Sequence, residues 1–130
     1  MKRIAIVATV YRYLSHAQHI GDRFLVGYPR DGAWHKPDMK VVSLYVDQKP
    51  QNDQSTERAK EFDFQVYPTI AETLRCGGSK LAVDAVLVIG EHGDYQRNEE
   101  EEQQDRVQQP GHPRLFGVAF ENRRRQQVAD

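Results

Sequence analysis

Apolar residues gather in short continuous runs as far as Gly90, and each run ends at turn-forming residues. Ile4 to Ala8, Val41 to Val46 and Asp84 to Gly90 have the nearly unbroken apolar character of strands buried on both faces. A shorter run, Phe64-Gln65-Val66-Tyr67-Pro68, reads as another strand closed by its proline. Between these runs the spacing becomes helical. Ser15 is a candidate N-cap for a helix over about His16 to Val26, whose Ala17, Ile20, Phe24 and Leu25 would cover the sheet. Ser55 reads as the cap of a second helix through about Phe62. Thr69 reads as the cap of a third, Ile70 to Arg75, ended by Gly77 and Gly78. The stretch GYPRDGAWHKPDM, residues 27–39, is rich in glycine and proline and reads as a loop.

Strands alternating with helices in this way predict βαβ units with right-handed crossovers. The expected fold is α/β: a Rossmann-like parallel sheet of about four strands, in the order 3-2-1-4, with flanking helices. Ligands of such sheets bind beyond the carboxyl ends of the strands, where the strand order reverses. That crevice lies between the first and fourth strands. Its rim would come from residues 8–16 and 90–95, with Asp47 nearby.

Composition narrows the function classes. The formal net charge of -1 gives no basic field for nucleic acid, so a nucleic-acid partner is not expected. No run approaches the roughly 18 apolar residues of a membrane span, and no membrane partner is expected. The opening MKRIAIVATVYRYL imitates a signal peptide, but Arg12 interrupts it, and a strand in a cytoplasmic protein is the better reading. Cys76 is the single cysteine, which excludes an intramolecular disulfide and fits a reducing compartment. The mean hydropathy of -0.76 is low for a compact α/β domain and implies that part of the chain stays out of the core. That part begins at Glu99, where four glutamates lead into a glutamine- and arginine-rich tail. Residues 1–98 are therefore read as the domain. Residues 99–130 are read as a poorly ordered tail in which LFGVAF is able to supply a partial extra strand.

Several phrases carry a family resemblance: His16-Ala17 after the first strand, ERAKEF, VYPTIAETL and DAVLVIGEHGDY. Over about residues 3–95 the chain resembles the N-terminal domain of the Gfo/Idh/MocA oxidoreductases. The resemblance implies a nucleotide-binding-type domain, NAD or NADP as cofactor, and chemistry carried by a lysine segment and second domain that this sequence does not contain. The family pattern G-x-G-x-x-G-x-x-H-A falls on Ala8, Val10, Tyr13 and His16-Ala17 without a gap. All three glycine positions are therefore substituted. Those glycines allow the tight turn, the approach of backbone to pyrophosphate and close helix packing. Val10 would stand where a phosphate oxygen sits, and Tyr13 would push the helix outward. The abrupt change of composition at Glu99, where the family's next βα unit belongs, is what a truncated domain would show.

The candidate ligand-contacting residues are Thr9, Val10, Tyr11, Arg12, Ser15 and His16 around the first turn, Asp47 after the second strand, and Glu91 and His92 after the fourth. Arg12 and Ser15 would add anion contacts to the helix amides. Asp47 would receive ribose hydroxyls, although it lies 39 positions after Ala8 where about 20 is usual. A turn-initiating aspartate is the alternative. His16, His19, Glu91, His92 and Asp94 could converge as a His/carboxylate cluster, but their spacing matches no established metal signature. Gln48-Lys49-Pro50 imitates the family's catalytic Glu-Lys-Pro segment at the wrong strand. Cys76 reads as a packing residue, and Trp34 with Tyr28 and His35 as a loop anchor. Two function classes follow. One is an oxidoreductase-like nucleotide-binding domain without independent catalysis. The other is a non-catalytic module for a small ligand or a protein partner, with a homo-oligomer formed through the fourth-strand side.

Overall fold

The computed structural model describes residues 1–95 and the backbone of residues 118–120. The elements follow in the order β1 (Lys2–Ala8), α1 (His16–Leu25), β2 (Tyr28–Arg30), β3 (Ala33–His35), β4 (Met39–Val46), α2 (Ser55–Phe62), β5 (Gln65–Val66), α3 (Ile70–Arg75), β6 (Ala85–Ile89) and β7 (Val118–Phe120). Four strands are mutually parallel, with β1 between β4 and β6 and with β5 beyond β4. The architecture is the expected Rossmann-like α/β sheet flanked by helices.

The strand order differs from the four-strand expectation because the described sheet has five strands, β5-β4-β1-β6-β7. β7 lies within LFGVAF and pairs antiparallel with β6. The expectation for the rest of the tail falls outside the described residues. A second difference is the stretch 27–39, which holds a two-stranded hairpin, β2 with β3. Its two-residue turn is Asp31-Gly32, both at positive φ (50° and 75°), as a type I′ turn demands. The Asp-Gly pair was the sequence signal for it.

Alternation along the strands divides the core. Ile4, Ile6 and Ala8 share one face with Leu44, Val46, Leu87 and Ile89, all buried, and Ala17 and Leu25 of α1 close over them. Ile20 and Phe24 of α1 and Phe62 of α2 pack at the margin. On the opposite face the buried Ser43 hydroxyl donates to the Thr73 carbonyl at 2.7 Å, which ties α3 to β4. Parallel pairing of β1 and β4 skips Val42, since Ile4 faces Val41 and Ala5 faces Ser43. Among the described residues no helix is long and apolar enough to cross a membrane.

The caps only partly follow expectation. Ser15 caps α1, accepting from Gln18 N, and Thr69 caps α3, accepting from Glu72 N. Ser55 does not cap α2. It is the first helical residue, fully buried, and its hydroxyl donates to Asp53 Oδ2 at 2.6 Å. Cys76 takes a left-handed conformation as the residue closing α3.

The turn after β1 also corrects an expectation. Tyr13 does not wedge the helix outward: it is 65% exposed, while Tyr11 is completely buried. Gly21 of α1 makes room for that ring. A Cβ at this position would stand 2.8 Å from the Tyr11 hydroxyl oxygen and 3.2 Å from Cε2. In an ordinary helix interior alanine in place of glycine gains up to about 1 kcal/mol. Here the added carbon presses on a ring with nowhere to move, at an overpacking cost of about 1–3 kcal/mol. Gly21→Ala should therefore lower stability in urea unfolding. A raised midpoint would show that Tyr11 is loosely held.

Candidate functional site

The carboxyl ends of β4, β1 and β6 lie side by side, and hydrogen bonds continue the sheet beyond the strands. Asp47 N donates to the Ala8 carbonyl, Gln48 N to the Thr9 carbonyl and Thr9 N to the Ile89 carbonyl. Three loops therefore leave from fixed positions. Val10 and Arg12 from the first, Gln48 to Pro50 from the second, and His92 to Asp94 from the third surround a cleft of about 620 Å³. That volume lies in the range of small-molecule sites.

The β1–α1 turn reaches this geometry without glycine. Leu14 takes the positive φ of 62°, and Leu14 N donates to the Gln18 side-chain oxygen at 2.5 Å. Arg12 N donates to Ser15 Oγ at 3.1 Å, while Ser15 N donates back to the Arg12 carbonyl at 3.0 Å. Tyr11 anchors the turn from below: its hydroxyl donates to Asp22 Oδ1 at 2.6 Å, and its carbonyl accepts from Gln54 N at 2.7 Å. Arg58 completes the cluster with a 2.9 Å ion pair to Asp22 Oδ2. Burial first, then the hydrogen bond to Asp22, pushes the Tyr11 hydroxyl far above its ordinary pKa.

The sequence candidates consequently separate. Val10, Arg12 and His92 line the cleft. Tyr11 does not; its side chain is in the core because the first turn, lacking glycines, folds a bulky ring inward rather than pressing backbone toward a ligand. Ser15 is 1% exposed, and its hydroxyl is used in capping, so it is no anion contact. Thr9 accepts from Glu91 N at 3.0 Å through its hydroxyl oxygen and thereby fixes the third loop.

Glu91 reaches α1 instead of the cleft. Its Oε2 accepts from His16 N at 3.2 Å, and its Oε1 lies 3.1 Å from His16 Nδ1. The carboxylate thus stands at the helix amide end, where the partial positive charge favours an anion. Asp47 is exposed at the end of β4. Its Oδ1 accepts from the Tyr45 hydroxyl at 2.5 Å, and its Oδ2 accepts from the Tyr95 hydroxyl. These two bonds, Tyr45's first, hold the Asp47 carboxyl below its usual pKa despite some desolvation. Conversely, the bond to Asp47 is the main cause that pushes Tyr95 up to about 12 and also raises Tyr45.

Of the histidines and carboxylates weighed as a cluster, His16 and Glu91 are brought together. Among the described residues no three His, Cys, Asp or Glu side chains are grouped to hold a metal ion, and His19 is exposed. Gln48 and Lys49, dismissed as imitations of a catalytic segment, are lining residues. Gln48 also locks the loops together, since its Nε2 donates to the Asp94 carbonyl at 3.0 Å and its Oε1 accepts from Asp94 N at 2.8 Å. Their position just after a parallel strand, at the edge where ligands bind, was the signal for both. Trp34 is 62% exposed and donates through Nε1 to the Val26 carbonyl at 3.0 Å, which holds the hairpin to the end of α1, away from the cleft loops. Comparison with protein-family models, with curated proteins and with solved structures finds no match.

Proposed function

We propose that this chain works as a ligand-binding domain without catalysis of its own, using the cleft at the carboxyl edge of the sheet. On this reading the chain is a relative of the cofactor domain of Gfo/Idh/MocA oxidoreductases in which the cofactor's anchoring position is filled from within. One observation carries this reading. The Glu91 carboxylate accepts from the first amide of α1, where a pyrophosphate would otherwise bind. A dinucleotide held in the family's manner has to displace that carboxylate and also meets Val10. Asp47 and Glu91 beside the cleft are poor general bases as well, since Asp47 is held ionised by two hydroxyl donors and Glu91 is bonded to α1. A cytoplasmic setting suits the reading, and exposed Val88 on β6 is available to a homo-oligomer formed through that side.

The second reading, a working NAD(P)-binding domain, is favoured by the place of Asp47 at the end of β4. Fluorescence titration with NADH and NADPH separates the two. Binding weaker than the micromolar range is expected for both. A micromolar dissociation constant, lost on Asp47→Ala, would establish the second reading in place of the first.

A further inference from the structure

We infer that the cleft takes a small phosphomonoester bearing hydroxyl groups, a sugar phosphate, with its phosphate held by the side chains of Arg12 and Lys49. The inference rests on the cleft being the ligand site. Its starting point is charge. Arg12 and Lys49 line the same cleft from different loops, and among the described residues neither is in an ion pair. Two cations lining one space repel each other, Asp94 is the single carboxylate among the described lining residues, and a dianion placed by the cations removes their repulsion.

The backbone beneath both residues is fixed. Arg12 exchanges two hydrogen bonds with Ser15 and forms a bridge with Asp53, so its position does not depend on a ligand. Lys49 follows Gln48, which is bonded twice to Asp94, and precedes Pro50, whose carbonyl accepts from Asp53 N at 2.9 Å. With both backbones fixed, only the two side chains remain to be ordered on binding. Arginine suits phosphate through its planar fork and lysine as a point charge.

The remaining walls describe the rest of the ligand. Pro50 offers apolar contact to a carbon skeleton, and exposed Asp94 is an acceptor for hydroxyl groups. An extended dinucleotide would need the α1 amides, which Glu91 occupies. A compact phosphomonoester does not, because side chains supply its anion contacts.

The test is calorimetry on the full chain with ribose 5-phosphate, ribose, inorganic phosphate and NADPH as probes, together with amide chemical shifts. Ribose 5-phosphate should bind about tenfold or more tightly than ribose or phosphate. Its affinity should fall with added salt, and shifts should centre on Val10, Arg12, Lys49 and Gly93. Arg12→Gln and Lys49→Gln, both at exposed side chains, should each weaken it about tenfold while leaving the unfolding midpoint in place. Equal affinity for ribose and ribose 5-phosphate at these residues would overturn the phosphate assignment while leaving the cleft as a ligand site. Inorganic phosphate binding as tightly as the sugar phosphate would overturn the sugar. NADPH binding more tightly than ribose 5-phosphate would overturn the small ligand. Silence of these amides to every probe would remove the cleft itself.

Discussion

Tyr11→Ala should cost the fold about 3–5 kcal/mol, the loss expected when a large buried aromatic ring is deleted. Tyr11 is the largest of the fully buried side chains among the described residues, and its ring lies against Gly21. Its removal leaves a cavity between the first turn and α1. It also takes a donor from Asp22, which keeps its bond to Arg58. Tyr11→Phe separates the two contributions, since the ring remains while the 2.6 Å bond to Asp22 goes. That variant should lose about 1–3 kcal/mol, the value of a hydrogen bond to a charged group. Urea unfolding with an unchanged m-value would measure both. A loss under about 1 kcal/mol for Tyr11→Ala would mean that the turn is anchored by something other than this ring. The consequence reaches the cleft. Arg12 follows Tyr11 directly, so a loosened anchor should also weaken any ligand that Arg12 holds.

Stability should fall steeply above pH 10, and the same tyrosine is the cause. In the unfolded chain its hydroxyl ionises near the ordinary value of about 10. In the fold, burial and the neighbouring Asp22 carboxylate push the pKa far higher, so the native state keeps its proton. Above pH 10 the unfolded chain therefore binds fewer protons than the folded one, and stability decreases with pH. A single such group contributes a slope of about 1.4 kcal/mol per pH unit. Below pH 10 both states are protonated, and the stabilisation is fully present. Denaturant midpoints from pH 8 to 11 should be flat, then falling. Tyr11→Phe, weaker at neutral pH, should lose less between pH 10 and 11 than the parent. Tyr45 and Tyr95 are also raised by Asp47, but Tyr95 is exposed and Tyr45 only half-buried, so solvent screens their contribution. If Tyr11→Phe follows the parent curve point for point, the alkaline transition belongs to another group.

The strands, the helices and the α/β class were legible because each depends on neighbours in sequence. The apolar run Ile4 to Ala8 can be satisfied only between two covered faces, and Ser15 and Thr69 cap their helices through amides a few residues away. The hairpin at residues 28–35 was equally local. Its Asp-Gly turn was missed because surrounding glycine and proline gave the segment the look of a loop. Ser55 shows the limit of such reasoning. A serine ahead of a helical pattern is a good cap in isolation, but Ser55 is fully buried as the first helical residue and its hydroxyl donates to Asp53.

Within the candidate site, sequence determined the place and the residue types. The first turn, Asp47 and the GEHGDY loop had to meet at the carboxyl edge once the sheet was parallel with β1 in the middle. Which of those side chains face a ligand was decided by the tertiary structure alone. Tyr11 and Tyr13 are two positions apart and chemically identical, yet one fills the core and the other is solvated, because only Tyr11 meets the gap at Gly21 and the acceptor on Asp22. Glu91 closes on α1 across 75 residues of sequence, and Gln48 bonds Asp94 across 46. Such pairings follow from the register of β1 with β4 and β6, which no stretch of this chain encodes by itself.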